Sequence, residues 1–187
     1  MGHGGNVIDE LTTDHREVEE LFGRIDSLPL ADARRKTLVE QVTIELVRHS
    51  IAEEAYVYPA VREYLPDGDA IADKEIKEHA TAEQLMKDLE GTEPGEPEFE
   101  RLVSALTAEI RSHVADEEQN LFPRLRATAG EEKLDELGDQ VRRAKSAAPT
   151  RPHPSAPDTP PANKLLAPGV GFVDRLRDAI TGRGKDD

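Results

Sequence analysis

The chain has 187 residues, of which 36% are hydrophobic and 34% charged, with a formal net charge of −15 and no cysteine. That length fits one domain plus an appendage, the missing cysteine excludes disulfides, iron–sulfur clusters and thiolate catalysis, and no apolar run approaches the roughly 18 residues a membrane span needs. Residues 146–187 carry six Lys/Arg and five Asp/Glu, leaving 18 basic and 34 acidic groups in residues 1–145, a balance that repels phosphate backbones and excludes nucleic acid as a partner of the main domain.

The N-terminus lacks the basic and apolar regions of a secretory signal, so a cytoplasmic location is expected. A first helix is predicted over about Val7 to Ser27. Its apolar positions Ile8, Leu11, Val18, Phe22 and Ile25 follow helical spacing, and His15 fills the one gap in that series. After a turn at Pro29 to Ala33, a second helix runs from about Arg34 to Tyr64. Val39, Val42 and Leu46 there lead into His49, Glu53 and Tyr56, and Pro59 kinks it or starts a new segment. The turn Pro66 to Asp69 ends it. A third helix, about Ala70 to Glu90, turns Ile76, His79, Ala82, Met86 and Leu89 inward. The fourth, about Pro97 to Leu125, presents Phe99, Leu102, Leu106, Ile110, His113, Glu117 and Leu121, with Pro123 near its end. A short fifth helix, Glu131 to about Ser146, packs on the outside through Leu134, Leu137 and Val141. Short connections favour an all-α, antiparallel up-down-up-down four-helix bundle over residues 1–146.

Residues 147–164 form a Pro-rich linker, predicted to be disordered. In residues 165–187, Phe172, Val173, Leu176 and Ile180 have helical spacing with Arg175, Arg177 and Arg183 between them. Such a segment docks on the bundle, binds a protein partner or touches a membrane, with self-docking the default expectation.

Two stretches repeat. His49-Ser-Ile-Ala-Glu53-Glu54, ending at Pro59, matches His113-Val-Ala-Asp-Glu117-Glu118, ending at Pro123, at an offset of 64 residues. The same offset carries His15 onto His79 and Glu19 onto Glu83. Residues i and i+4 share a helix face, so each HxxxE aims an imidazole and a carboxylate at one place. Two antiparallel helix pairs then converge four histidines and several carboxylates on an internal site. Burying these groups unpaired costs several kcal/mol per ion, a cost that a shared cation offsets. Mixed imidazole and carboxylate donors without sulfur suit iron, manganese or zinc, and two such clusters facing across a bundle suit a pair of iron or manganese ions. The candidate ligands are His15, His49, Glu53, His79, Glu83, His113 and Glu117. Tyr56 lies on the His49/Glu53 face within reach of the metal, while its repeat mate is Asn120. Glu19 flanks the stripe of the first helix as a weaker candidate.

The order His15, His49-xxx-Glu53, His79, His113-xxx-Glu117, with Glu-Glu and Pro after each longer motif, resembles the hemerythrin-like (HHE cation-binding) domain over roughly residues 7–145. The resemblance implies two irons, oxo- or hydroxo-bridged, in a four-helix bundle, with His15 and His49 on one iron, His79 and His113 on the other, and Glu53 and Glu117 bridging. The chain departs from the oxygen-carrying members, having His79-xxx-Glu83 where they have HxxxH and Glu117 at i+4 where they have Asp at i+5. A more carboxylate-rich set stabilises the ferric state, which disfavours reversible O2 carriage and favours peroxide breakdown. Reversible O2 or NO binding, and iron storage, are the alternatives.

Overall fold

The structure is a computed structural model describing residues 4–156, 158–160, 170–174, 177, 178 and 183. The helices are α1 (Val7–Ser27), α2 (Arg34–Ala52), α3 (Tyr58–Tyr64), α4 (Gly68–Leu89), α5 (Pro97–Asp116), α6 (Phe122–Ala129) and α7 (Glu131–Ala147). No strand occurs among the described residues, and no helix there is long and apolar enough to cross a membrane. α1 opens on Asn6, whose Oδ1 accepts from the Ile8 and Asp9 N–H groups at 3.0 and 3.2 Å, satisfying donors that have no partner within the helix.

The second and fourth predicted helices are each broken by one π-helical turn, Glu53–Val57 and Glu117–Leu121. Proline supplies the cause. Pro59 and Pro123 have no N–H for the i−4 carbonyl, so the ladder opens one residue earlier, and Tyr58 and Phe122 donate to the carbonyls of Glu53 and Glu117 five residues back.

Apolar side chains form two clusters with a polar layer between them. One gathers Val7, Leu11, Val57, Val61, Leu121, Leu125, Leu134 and Val141. The other gathers Val18, Phe22, Val42, Leu46, Met86, Phe99, Leu102 and Leu106. Each long helix passes from one cluster to the other, and its histidine sits at the crossing. α7 covers the first cluster and approaches α1 so closely that a Cβ on Gly138 would lie 2.9 Å from the Gly5 carbonyl oxygen and 3.0 Å from Val7 N. Gly138→Val is therefore expected to lower stability by about 1–3 kcal/mol through overpacking. Gly23→Ala, in mid-helix with nothing within 4 Å of the new methyl, is expected to raise it by about 0.8–1 kcal/mol. Urea unfolding of both variants reads the contrast.

The linker is tied to the bundle. The His153 N–H donates to Glu83 Oε1 at 2.7 Å, and Thr150 and Arg151 N–H donate to Asp174 Oδ2 at 3.3 and 3.2 Å. The tail turns Gly171, Asp174 and Asp178 inward and leaves Phe172 and Val173 exposed. Among the described residues its contact with the linker runs through Asp174 and Asp178. Leu176, Ile180 and Arg175 lie outside the described residues.

Candidate metal centre

α1, α2, α4 and α5 bring His15, His49, His79 and His113 together in the polar layer, each about 5% exposed or less. His15 Nε2 lies 3.3 Å from Glu117 Oε2, and His49 Nε2 lies 3.1 Å from Glu53 Oε2. His79 Nε2 is 3.4 Å from Glu53 Oε2, and His113 Nε2 is 3.5 Å from Glu117 Oε2. Each of these two carboxylates therefore faces imidazoles from both histidine pairs. A third carboxylate joins them: Glu75, fully buried, converges with His113 and Glu117. His15/His49/Glu117, Glu53/His79/His113 and Glu75/His113/Glu117 each bring three donor atoms close enough to share a cation.

The outer ring nitrogens are held just as regularly. His49 Nδ1 faces Asp14 Oδ2 at 3.1 Å, and His113 Nδ1 faces Glu78 Oε2 at 3.1 Å. His15 Nδ1 faces Glu118 Oε1 at 2.9 Å, and His79 Nδ1 faces Glu54 Oε1 at 3.0 Å. Asp14 and Glu78, and Glu54 and Glu118, are repeat mates. A carboxylate on Nδ1 makes that nitrogen the donor and leaves Nε2 with a lone pair pointing inward, the arrangement in which histidine binds metals.

Buried polar atoms without partners then point to what the layer holds. His15 Nε2, His49 Nε2, Glu53 Oε1 and Glu117 Oε2 take no hydrogen bond and are shielded from solvent. Orphan atoms of this kind are costly, and all are lone-pair donors aimed at one another. A divalent or trivalent cation satisfies them at once, and imidazole plus carboxylate fits iron or manganese.

Without a cation the layer holds protons instead. Burial opposes a charged His49, yet Glu53 and Asp14 outweigh it and hold its pKa up to about 10. Burial likewise raises Glu53, but the charge and hydrogen bond of His49 prevail and hold it well below its usual range. His49, raised above the unfolded value near 6.5, contributes stability that is full below pH 6.5 and lost as pH rises through about 10. Glu53, depressed, contributes stability that is full above its unfolded pKa and lost as pH falls below it. Metal binding requires the protons to leave, so affinity rises with pH. Melting curves with and without iron are expected to diverge as pH increases from 6.5, with proton release on loading measured in weakly buffered solution; a pH-independent gap would contradict this account.

Three candidates from the sequence stand elsewhere. Glu83 accepts from the His153 backbone and belongs to none of the converging groups. It lies one turn beyond His79 on the linker side, whereas Glu75, one turn before His79, points into the layer. Tyr56 packs on the first apolar cluster. The phenol in the layer is Tyr58, with Oη 3.0 Å from His79 Nε2 and 3.4 Å from both Glu53 Oε2 and Glu117 Oε1. The π turn is the reason, because it sets the residue at i+5, rather than at i+3 or i+4, above Glu53. Burial and the surrounding carboxylates raise the Tyr58 pKa well above its ordinary value, keeping the phenol protonated. Glu19 pairs at the surface with Arg111 at 2.7 Å.

The motif order, the bundle and the donor set agree with one family. The hemerythrin HHE cation binding domain model matches residues 6–125. The chain belongs to this family. An uncharacterized hemerythrin-like protein of Schizosaccharomyces pombe is 29% identical over 175 residues, covering 93% of this chain and 86% of that protein. A DNA nickase of Nostoc is 28% identical over 142 residues, 75% of this chain but only 39% of that protein. The crystal structure of a hemerythrin HHE cation binding domain-containing protein from Mycobacterium kansasii superposes with a TM-score of 0.66 at 22% identity, over 76% of this chain and 86% of that one, which supports the fold. This hemerythrin-like chain extends beyond the matched region by α7, the linker and the tail.

Proposed function

We propose that this hemerythrin-like chain holds two irons and breaks down hydrogen peroxide in a catalase-like way. The observation that carries the reading is the buried layer in which His15, His49, His79 and His113 turn Nε2 toward Glu53 and Glu117, with Glu75 against His113 Nδ1. Three carboxylates against four imidazoles favour the ferric state and oxidative chemistry over reversible O2 carriage. Manganese suits the same donors.

A cavity of about 20 Å³ touches all four histidines and is bounded further by Val18, Leu46, Ile110 and Val114, with Asp14 and Ser50 at its edge. That space is of the order of one water molecule, a size that supports a reactant as small as peroxide, O2 or NO. A second cavity, of about 90 Å³, reaches His79 and Glu54 from beneath the linker and is lined by Ile51, Ile76, Met86 and Pro154. It supports an approach route for a small neutral molecule. Once bound, the iron pair supplies the electrons and holes that convert two peroxides to dioxygen and two waters. The protein's part is to turn each imidazole Nε2 inward through its Nδ1 partner, to confine the space beside the histidines with Val18, Leu46, Ile110 and Val114, and to hold a proton on Tyr58 Oη against His79 Nε2.

Iron per chain, the visible spectrum and O2 release on adding peroxide test this. The expected result is about two irons, an oxo-bridge absorption band and O2 evolution. Two irons without turnover would favour reversible O2 or NO binding or iron storage, and absence of bound iron would remove the reading altogether.

A further inference from the structure

The repeat makes the two halves of the layer comparable position by position, and their outer carboxylates differ in charge compensation. In one half, Asp14, which holds His49, receives the buried Lys145 ammonium at 2.5 Å. Lys145 also reaches Glu10 Oε1 at 2.7 Å, and Arg142 stands 3.6 Å from Glu10 Oε2. Glu118, which holds His15, is bound by Arg16 at 2.6 Å. Arg16 is exposed and its field is damped by solvent, so the buried cation of the His15/His49 pair is Lys145, held on Asp14.

The other half lacks this balance. Glu78, which holds His113, meets Lys74 at 2.8 Å, but Lys74 is half exposed and is divided among Glu75, Glu78 and Asp116. Glu54, which holds His79, has no cation paired with it among the described residues; Glu83 and Asp158 add negative charge there instead. Glu75 Oε2 stands 2.9 Å from His113 Nδ1, where the mate in the first half is Leu11. Buried charges act through a low dielectric, while water and salt damp the field of an exposed lysine.

We propose that Lys145, on the α7 extension outside the matched family domain, is a positioning residue that makes the two metal positions inequivalent. By drawing on the charge of Asp14 it weakens the hydrogen bond that makes His49 basic, and a less basic imidazole is a poorer donor to a ferric ion. The His15/His49 position is therefore the weaker-binding and more readily reduced of the two, and the His79/His113 position the tighter and more ferric. α7 is in this sense an electrostatic part of the centre, acting through Asp14.

The inference rests on metal binding at this layer but not on peroxide turnover, and it is tested on the full chain by anaerobic titration with Fe(II) and by spectroelectrochemistry. The wild type is expected to take up iron in two resolved steps and to show two separated one-electron waves. Lys145→Met is expected to tighten the weaker step by about 10- to 100-fold, the usual scale of outer-partner effects, and to move the higher-potential wave toward the lower; Lys145→Arg keeps the wild-type pattern. Should Lys145→Met not fold, Glu10→Gln gives the opposite test. It leaves the ammonium to Asp14 alone and is expected to widen both separations. Two equivalent steps in the wild type, or separations indifferent to Lys145→Met or to Glu10→Gln in folded protein, would overturn the inference. No uptake of iron by any form would instead remove the metal reading on which it rests.

Discussion

Glu117→Ala is expected to strip the layer of iron and of the stability that iron brings. Glu117 Oε2 stands 3.3 Å from His15 Nε2 and 3.5 Å from His113 Nε2, so it is the carboxylate common to one histidine of each pair, and it is fully buried. Losing it removes a donor from two of the three candidate groups and places a methyl where a cation needs an oxygen. The loss of affinity should exceed the about 10- to 100-fold that follows removal of an outer hydrogen-bond partner alone. In the wild type, free Fe(II) at a hundred times its dissociation constant stabilises the fold by about 2.7 kcal/mol, which for a chain of this size raises Tm by roughly 5–10 °C. In Glu117→Ala that shift should vanish, and iron retained after desalting should drop below one per chain. Glu19→Ala, on the surface beside Arg111, is the matching control and should leave both readings at wild-type values. Equal iron content and an equal Tm shift in Glu117→Ala would show that the layer is a structural ion network without a metal role.

The bundle was legible because its helices announce themselves by periodicity. α1 runs from Val7 to Ser27 and α7 begins at Glu131, as their apolar spacing dictates. The four histidines and Glu53 and Glu117 were legible for a different reason: a 64-residue repeat copies chemistry as well as shape. What stayed hidden depended on backbone register. A helix wheel drawn at 3.6 residues per turn puts Tyr56 on the ligand face. The π turns before Pro59 and Pro123 add a residue to the turn and bring Tyr58 and Phe122 there instead. The prolines were visible, but whether the chain answers a proline with a kink, a break or a wider turn depends on what the surrounding helices can pack against. Glu75 was hidden because its repeat mate is Leu11, so the repeat argued against it. Glu83, which the repeat did mark, was drawn off by the His153 backbone from a linker whose composition gave no sign of docking. The outer carboxylates were readable in principle, since an acid precedes His15 and His79 alike.

Tyr58→Phe carries the sharpest consequence of that register change. Tyr58 Oη lies among His79 Nε2, Glu53 Oε2 and Glu117 Oε1, while its repeat mate Phe122 only stacks on the His15 ring, 5.8 Å between centroids and 7° from parallel. The fold therefore accepts a plain aromatic ring at this position, and the hydroxyl answers to chemistry rather than packing. A protonated phenol against His79 Nε2 can hold and return a proton as peroxide is cleaved, a role worth about 100-fold or more. Removing the hydroxyl is expected to leave about two irons per chain, since the imidazoles and carboxylates remain, and to lower O2 release by about 100-fold. Tyr56→Phe should change neither quantity. Loss of iron in Tyr58→Phe would instead make the phenol a ligand, a role that a phenolate-to-iron band in the wild-type spectrum would confirm. Unchanged iron and unchanged turnover would return the proton-handling role to the carboxylates, with Glu75, buried on the His79/His113 side, the next residue to substitute.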